Sequence, residues 1–202
     1  LSPYFVNKPE KMITELENPY ILIYDKKISQ LKDILPLLEH TMQIDRPLLI
    51  IAEDVDGEAL SSLVVNRVRG TLKVSAVKAP GYGDFRTDYL EDIACLTGGT
   101  LVSDNAGLKI EDVTVEHLGE ANKIIITKED TTIIQGAGEK VNIDARVEQI
   151  ISQIDNEEGE YRKERLQTRL SKLSGGVAVL KIGAGSELEM KEKKDRIDDA
   201  LN

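Results

Sequence analysis

PLLIIAEDVDGEALSSLVVNRVRGTLKVSAV, residues 47 to 77, places an apolar run, a helical pattern and a second apolar run in direct succession. PLLIIA (47–52) is far too short to cross a bilayer and reads as a buried strand, and TLKVSAV (71–77) reads as another. Between them EALSSLVVNRVRG (58–70) has the apolar spacing of a helix, with Asp56 as a short polar acceptor ahead of it and Gly70 at its end. Strand, helix and strand in that order make the unit from which α/β sheets are built. The helix itself is unusual. At 100° per residue, Ala59, Leu60, Leu63, Val64, Val65 and Val68 spread over about 240° of the wheel, where a surface helix needs a stripe of roughly 100°. One arc, with Leu63 beside Ala59, packs inward. The other has to be covered by another element or offered to a partner.

The same pattern extends on both sides. YILIY (20–24), GTLVS (99–103), KIIIT (123–127), TTIIQ (131–135) and VAVLKI (177–182) are further strand candidates. Ser29 is positioned to cap a helix reaching Met42, and Thr87 one that the Gly98–Gly99 pair ends. Beyond Gly138 two helices are expected, from the spacing of Val147, Ile150, Ile151 and Ile154 and of Leu166, Leu170 and Leu173. DNEEGE (155–160) joins them as a turn, giving an antiparallel helical hairpin against the sheet. Gly175–Gly176 then marks a backbone free to swivel, and a domain boundary is expected there.

LKDILPLLEHTM (31–42) is the second wide helix, since Leu31, Ile34, Leu35, Leu37, Leu38 and Met42 span about 160°. Two such helices separated by one strand lie side by side on one face of a sheet. Their surplus arcs predict an apolar groove suited to an extended or helical peptide. Tyr4 and Phe5, in LSPYFVNKP, have polar neighbours and are expected to be presented, not buried.

Composition narrows the function classes. Thirty-six acidic against 26 basic residues give a net charge of -10 over 202 residues, which repels phosphate backbones and anionic lipid surfaces. Neither nucleic acid nor membrane is an expected partner. The one cysteine, Cys95, has no intramolecular disulfide partner and, beside Ile93 and Leu96, is expected to be a structural thiol in a reducing compartment. The chain begins at Leu1 without Met and stops within the charged run EMKEKKDRIDDALN, so it reads as a piece of a longer protein.

Motifs for chemistry are few. AEDVDGE offers Glu53, Asp54, Asp56 and Glu58, a carboxylate set that could hold a divalent metal, but it lacks the alternating ligands and distal Glu of a calcium loop. A solvated turn with Asp56 as helix cap is the plainer reading. KAPGYGD (78–84) and QGAGEK (135–140) match no phosphate loop and read as turns. His40 and His117 stand apart, with no Cys or His at metal spacing. No metal site is expected. Two functions remain in view: a binding module, and a metal-dependent phosphotransfer enzyme using the Glu53–Glu58 carboxylates.

Across almost the whole chain, LSPYFVNKPE, DKKIS, PLLIIAEDVDGEAL, LVVNRVRGTLKVSAVKAPGYGD, LEDIACLTGG and LSGGVAVLKIGAGSELEMKEKKDRIDDAL resemble the apical domain of a group I chaperonin, the GroEL type. The resemblance implies an α/β chaperonin apical-domain-like sheet core flanked by helices, a C-terminal helical hairpin and a short intermediate-domain segment. Residues 1–176 would be the apical domain and 177–202 part of the intermediate domain, the equatorial ATPase domain being absent. The implied groove residues are Tyr4, Phe5, Leu35, Leu38, Leu60, Val64, Val65 and Asn66. They would bind non-native polypeptides and the mobile loop of a GroES-type co-chaperonin. Gly175 and Gly176 would form one strand of a hinge, and Asp199 would support ATP hydrolysis only in a full-length parent. ATP and Mg would belong to that parent, a homo- or hetero-oligomeric ring, with no cofactor in this chain. The implied location is the bacterial cytoplasm, plastid stroma or mitochondrial matrix. GDFRTDYLED and EHTMQID depart from the family's usual pattern, away from the groove positions.

Overall fold

The computed structural model describes residues 3–175 and 177–181. Its centre is a parallel set, β2 (Tyr20–Tyr24), β4 (Leu48–Ala52) and β6 (Val74–Lys78), with Ile21 opposite Leu49 and Ile50 opposite Ala76. Helices α1 (Leu35–Gln43) and α2 (Gly57–Val68) are the two crossovers between these strands. Because each strand is covered on both faces, β2 and β4 are apolar throughout, and β6 departs from this only at Ser75, which is buried, and at Lys78, its exposed last residue. Leu22, Tyr24, Leu48, Ile50 and Ala52 point to a front core that receives Leu37 and Leu38 of α1 and Ala59 and Leu63 of α2. Ile21, Ile23, Leu49, Ile51 and Val77 point to a back core that receives Leu90, Ile93 and Ala94 of α3 (Asp84–Thr97).

At its other side β2 is shared. Its carboxyl end pairs in parallel with β7 (Leu101–Val102), and its amino end pairs antiparallel with β8 (Gly119–Ile126). Strand β9 (Asp130–Gly136) follows β8 as a hairpin, β10 (Val177–Lys181) adds to β9, and β1 (Thr14–Glu17) pairs with β8, Thr14 opposite Ile126. A separate two-stranded ladder joins β3 (Lys27–Ile28) to β5 (Asp54–Val55). The α/β architecture expected from the sequence is therefore present, with the antiparallel strands outside the βαβ units.

The helical hairpin, α4 (Lys140–Asn156) and α5 (Glu160–Ser174), packs on α3 and so forms a third layer behind the sheet. A buried ion network fastens it. Arg169 Nε and Nη2 donate to the two oxygens of Asp92 at 2.7 and 3.0 Å, and Arg146 Nε donates to Asp92 Oδ1 at 2.7 Å. Arg146 also meets Glu91 at 3.1 Å, and Arg169 meets Asp88 at 3.5 Å. Fork geometry suits this carboxylate, which two guanidiniums satisfy together. Burial pushes the Asp88 carboxyl above its ordinary range, with Arg169 pulling the other way. At the rim, the Arg165 guanidinium lies 5.1 Å from both the Phe85 and Tyr161 rings, which meet edge to face.

Glycines make the seam between α3 and the antiparallel strands. Gly98 caps α3 in the left-handed conformation at φ 71, and a Cβ on Gly138 would fall 2.0 Å from the Cys95 carbonyl oxygen. QGAGEK is thus more than a turn: its glycines let the strand end reach the bare carbonyls of the helix, and Gly138 N donates to Leu96 O at 2.9 Å.

Three local expectations are corrected. Ser29 caps no helix; a 3-10 turn at Leu31–Asp33 precedes α1, which begins one residue before Pro36. A continuous helix from 29 to 42 would put that proline in its interior, where it lacks the N–H to bond back and clashes with the preceding turn. Thr87 lies inside α3, whose N-cap is Gly83. Asp56 is the N-cap of α2 but makes no side-chain capping bond there, its carboxylate being taken by Ser29.

Candidate functional site

The groove positions expected from the sequence converge on the front face, at different depths. Helices α1 and α2 dock on one core, and Leu31, Leu60 and Val64 lean against that core half-buried. Leu35 is 41% exposed, Val65 44% and Val68 70%, an apolar rim with nothing over it among the described residues. Asn66 is half-buried, and its Nδ2 donates to the Ser62 carbonyl at 2.8 Å along the same helix.

Two positions are not presented. Phe5 is 1% exposed, inside the front core, and Leu38 is buried in the same core. The reason for Phe5 is local: it ends a 3-10 turn, Pro3–Phe5, in which successive side chains point about 120° apart, so Tyr4 faces solvent at 66% while Phe5 faces inward. The fully buried hydroxyl of Thr14 donates to the Phe5 carbonyl at 2.7 Å and fixes that turn. Leu38 is buried because it shares an inward arc with Leu37 and Thr41.

The exposed apolar surface continues past the expected positions. Met42 and Ile44, at the carboxyl end of α1, are exposed too, and a water-sized dimple separates Thr41 and Met42 from Thr71 and Leu72, which follow α2. Met42 was visible in the helical pattern. Ile44 was not, since it lies past the helix, in the bulky and polar EHTMQID stretch.

The carboxylates of AEDVDGE are each engaged separately. Glu53 pairs with Arg86 at 3.5 Å, Asp54 accepts the Val55 N–H at 2.9 Å, Asp56 accepts the Ser29 hydroxyl at 2.5 Å, and Glu58 accepts the Leu31 N–H at 2.8 Å. Glu53, Asp56 and Glu58 each tie this segment to another part of the chain, Asp54 bonds the next residue, and among the described residues no three His, Cys, Asp or Glu converge as a metal would require. Burial raises the Cys95 thiol above its ordinary range, which disfavours the thiolate form that reacts. His117 Nδ1 accepts the Thr114 N–H at 3.0 Å, a structural bond. Gly175 closes α5 with φ -78, a right-handed conformation open to any residue. Gly176 and Asp199 lie outside the described residues.

A sheet covered on its back face and flanked in front by two helices with an open apolar rim defines an α/β domain with exposed apolar surface on one face. A family model of the TCP-1/cpn60 chaperonin family matches residues 5–202, and the chain belongs to that family. A chaperone role comes with that membership.

Proposed function

We propose that this chain is the apical domain of a group I, GroEL-type chaperonin and that the front rim between α1 and α2 captures non-native polypeptides. The observation that carries this is the pair of crossover helices: both dock on one core yet leave Leu35, Met42, Val65 and Val68 in solvent. Removing such surface from water contributes about 25 cal/mol per Å² and has no directional preference, so it accepts many sequences. Of the expected positions, Tyr4, Leu35 and Val65 make direct contact, Leu60, Val64 and Asn66 form the flanks, and Phe5 and Leu38 support the helices from beneath.

The mobile loop of a GroES-type co-chaperonin would occupy the same rim, so clients and lid compete. The parent would be a ring of one or several subunit types that hydrolyses ATP with Mg, Asp199 assisting, in a bacterial cytoplasm, plastid stroma or mitochondrial matrix. Residues 177–202 would return to the intermediate domain, with the swivel at Gly175–Gly176. This chain would bind without catalysing. The metal-dependent phosphotransfer reading has no observation in its favour, because Glu53, Asp54, Asp56 and Glu58 serve different partners.

The test is competitive. An environment-sensitive dye should bind the chain and be displaced by a reduced, unfolded protein, and Leu35→Ser with Val65→Ser should abolish both signals while leaving the far-ultraviolet circular dichroism unchanged. Dye and client binding that survive the double substitution would refute the rim as the capture surface.

A further inference from the structure

We infer that the α4–α5 hairpin is a hinged lid on the back of the domain, opening as one unit while the sheet stays intact, with the ion network on Asp92 as its latch and Cys95 beneath it. The topology permits such a motion. Helix α4 follows β9, and β10, into which α5 leads, lies on β9 with Val177 opposite Ile134. Both ends of the hairpin are thus fastened at one strand, and swinging it away pulls no strand from the sheet. The seam bonds stop at its root. The Ala137 N–H donates to the Glu120 carbonyl and the Gly138 N–H to the Leu96 carbonyl, each at 2.9 Å, and both precede Glu139, the N-cap of α4, which makes no side-chain capping bond.

What holds the hairpin down is chiefly ionic. Its buried apolar side chains among the described residues, Ile150 and Leu173, belong to neither the front nor the back core. The directional contacts with α3 come from cations: Arg146 and Arg169 on Asp92, with Glu91 and Asp88 beside them, Arg165 on the Phe85 ring, and Lys172 at 5.3 Å from the Tyr89 ring. Separating an ionic joint rehydrates its charges and returns their desolvation cost, so the latch opens more readily than apolar packing of the same area would. Opening short of global unfolding proceeds in contiguous units, and a helical pair is one. Cys95 lies under this lid. Asp88, Asp92 and Cys95 recur at helical spacing along one stripe of α3, the thiol is half-buried, and Arg146 and Asp92 both act on its charge. Opening uncovers that stripe and leaves α1 and α2 in place across the sheet.

Hydrogen exchange of the chain, read by mass spectrometry, tests the lid, and thiol labelling tests what it covers, since Cys95 is the one cysteine. Amides of α4 and α5 should exchange together and faster than those of β2 and β4. Asp92→Asn, which keeps the shape and removes the charge, should speed both helices by about tenfold or more, the scale of one hydrogen bond to a charged group. Leu63→Ala, in the front core, should speed β2 and β4 but not the helices, because Leu63 stays packed while the lid is open. In Asp92→Asn the labelling of Cys95 by a bulky maleimide should rise more than its labelling by iodoacetamide, whereas a more acidic thiol alone would speed both reagents equally. If Asp92→Asn fails to fold, Arg146→Gln, at the half-buried edge of the network, should give the same pattern at smaller size. Helices that exchange at the rate of the strands, that lose protection one without the other, or that Leu63→Ala speeds as much as it does the strands overturn the lid. Equal gains for the two reagents overturn the placing of Cys95 beneath it.

Discussion

The two faces of the sheet are built from similar strands and end in opposite ways. Behind it, α3 is covered in turn by α4 and α5, and a carboxylate with two guanidiniums is shut inside the joint. In front, α1 and α2 are the last layer, and their outer apolar residues meet water. Strand composition does not distinguish the faces, since Ile50 and Ile51, one facing each way, are equally buried. What differs is whether the helix layer has a partner with matching chemistry. Buried ionic contacts lock the back layer to the sheet; in front the described residues place directional contacts only at the ends of the helices and leave the apolar arcs between them uncovered.

The sharpest way to break this contrast is Asp92→Ala, which should cost about 3 to 5 kcal/mol in denaturant unfolding because it strips the buried Arg169 of its two-oxygen partner and leaves it only Asp88 at 3.5 Å. A cost under about 1 kcal/mol would mean that the hairpin is held by apolar packing instead. Leu63→Ala, on the inward arc of α2, should cost about 2 to 4 kcal/mol and leave peptide affinity intact once the protein is folded. Val64→Ser tests the boundary between core and rim: half-buried, it should lose about 1 kcal/mol of stability together with some client affinity. Val65→Ser should change stability by no more than about 0.5 kcal/mol while client binding falls sharply. A Val65→Ser variant that unfolds easily and still captures clients would reverse the assignment of the two faces.

The smallest effect concerns pH. The Asp88 carboxyl is pushed up by burial, so the folded chain holds its proton more tightly than the unfolded chain does. Its contribution to stability is then present below the unfolded value, near pH 4, and is lost as pH rises through the raised value. Asp88→Asn should therefore gain on the wild type as pH rises from about 4 to 7, seen as converging or crossing melting curves. A gain that runs the other way would mean that the Arg169 attraction outweighs burial.

Much of this was readable in one dimension. Strands β2 and β4 declare themselves by unbroken apolar runs, β6 by a run that Ser75 interrupts, and the crossover helices by the width of their apolar arcs. The hairpin follows from its Ile and Leu spacing. Other parts were hidden for identifiable reasons. TELE, which forms β1, carries two glutamates, and only its pairing with β8, with Lys123 near Glu15 and Glu17, makes it a strand. The Asp92–Arg169 contact joins residues 77 apart on two different helices, a distance no local pattern spans. Of the rim, the arcs of α1 and α2 were legible as surplus surface. Phe5 was not, because whether an aromatic in a 3-10 turn faces in or out depends on what lies beneath it.

Strand β1 has a consequence for the chain's own synthesis. Its partner stretch in β8 ends at Ile126, roughly 110 residues after Thr14, so a ribosome adding about 5 to 20 residues per second leaves β1 without its neighbour for on the order of ten seconds. Through that interval Leu16 and the backbone edge that will meet Ile124 remain unpaired, and open strand edges invite the wrong neighbour. A nascent chain of this chaperonin family member is thus, for that interval, the kind of sticky intermediate that chaperones exist to catch.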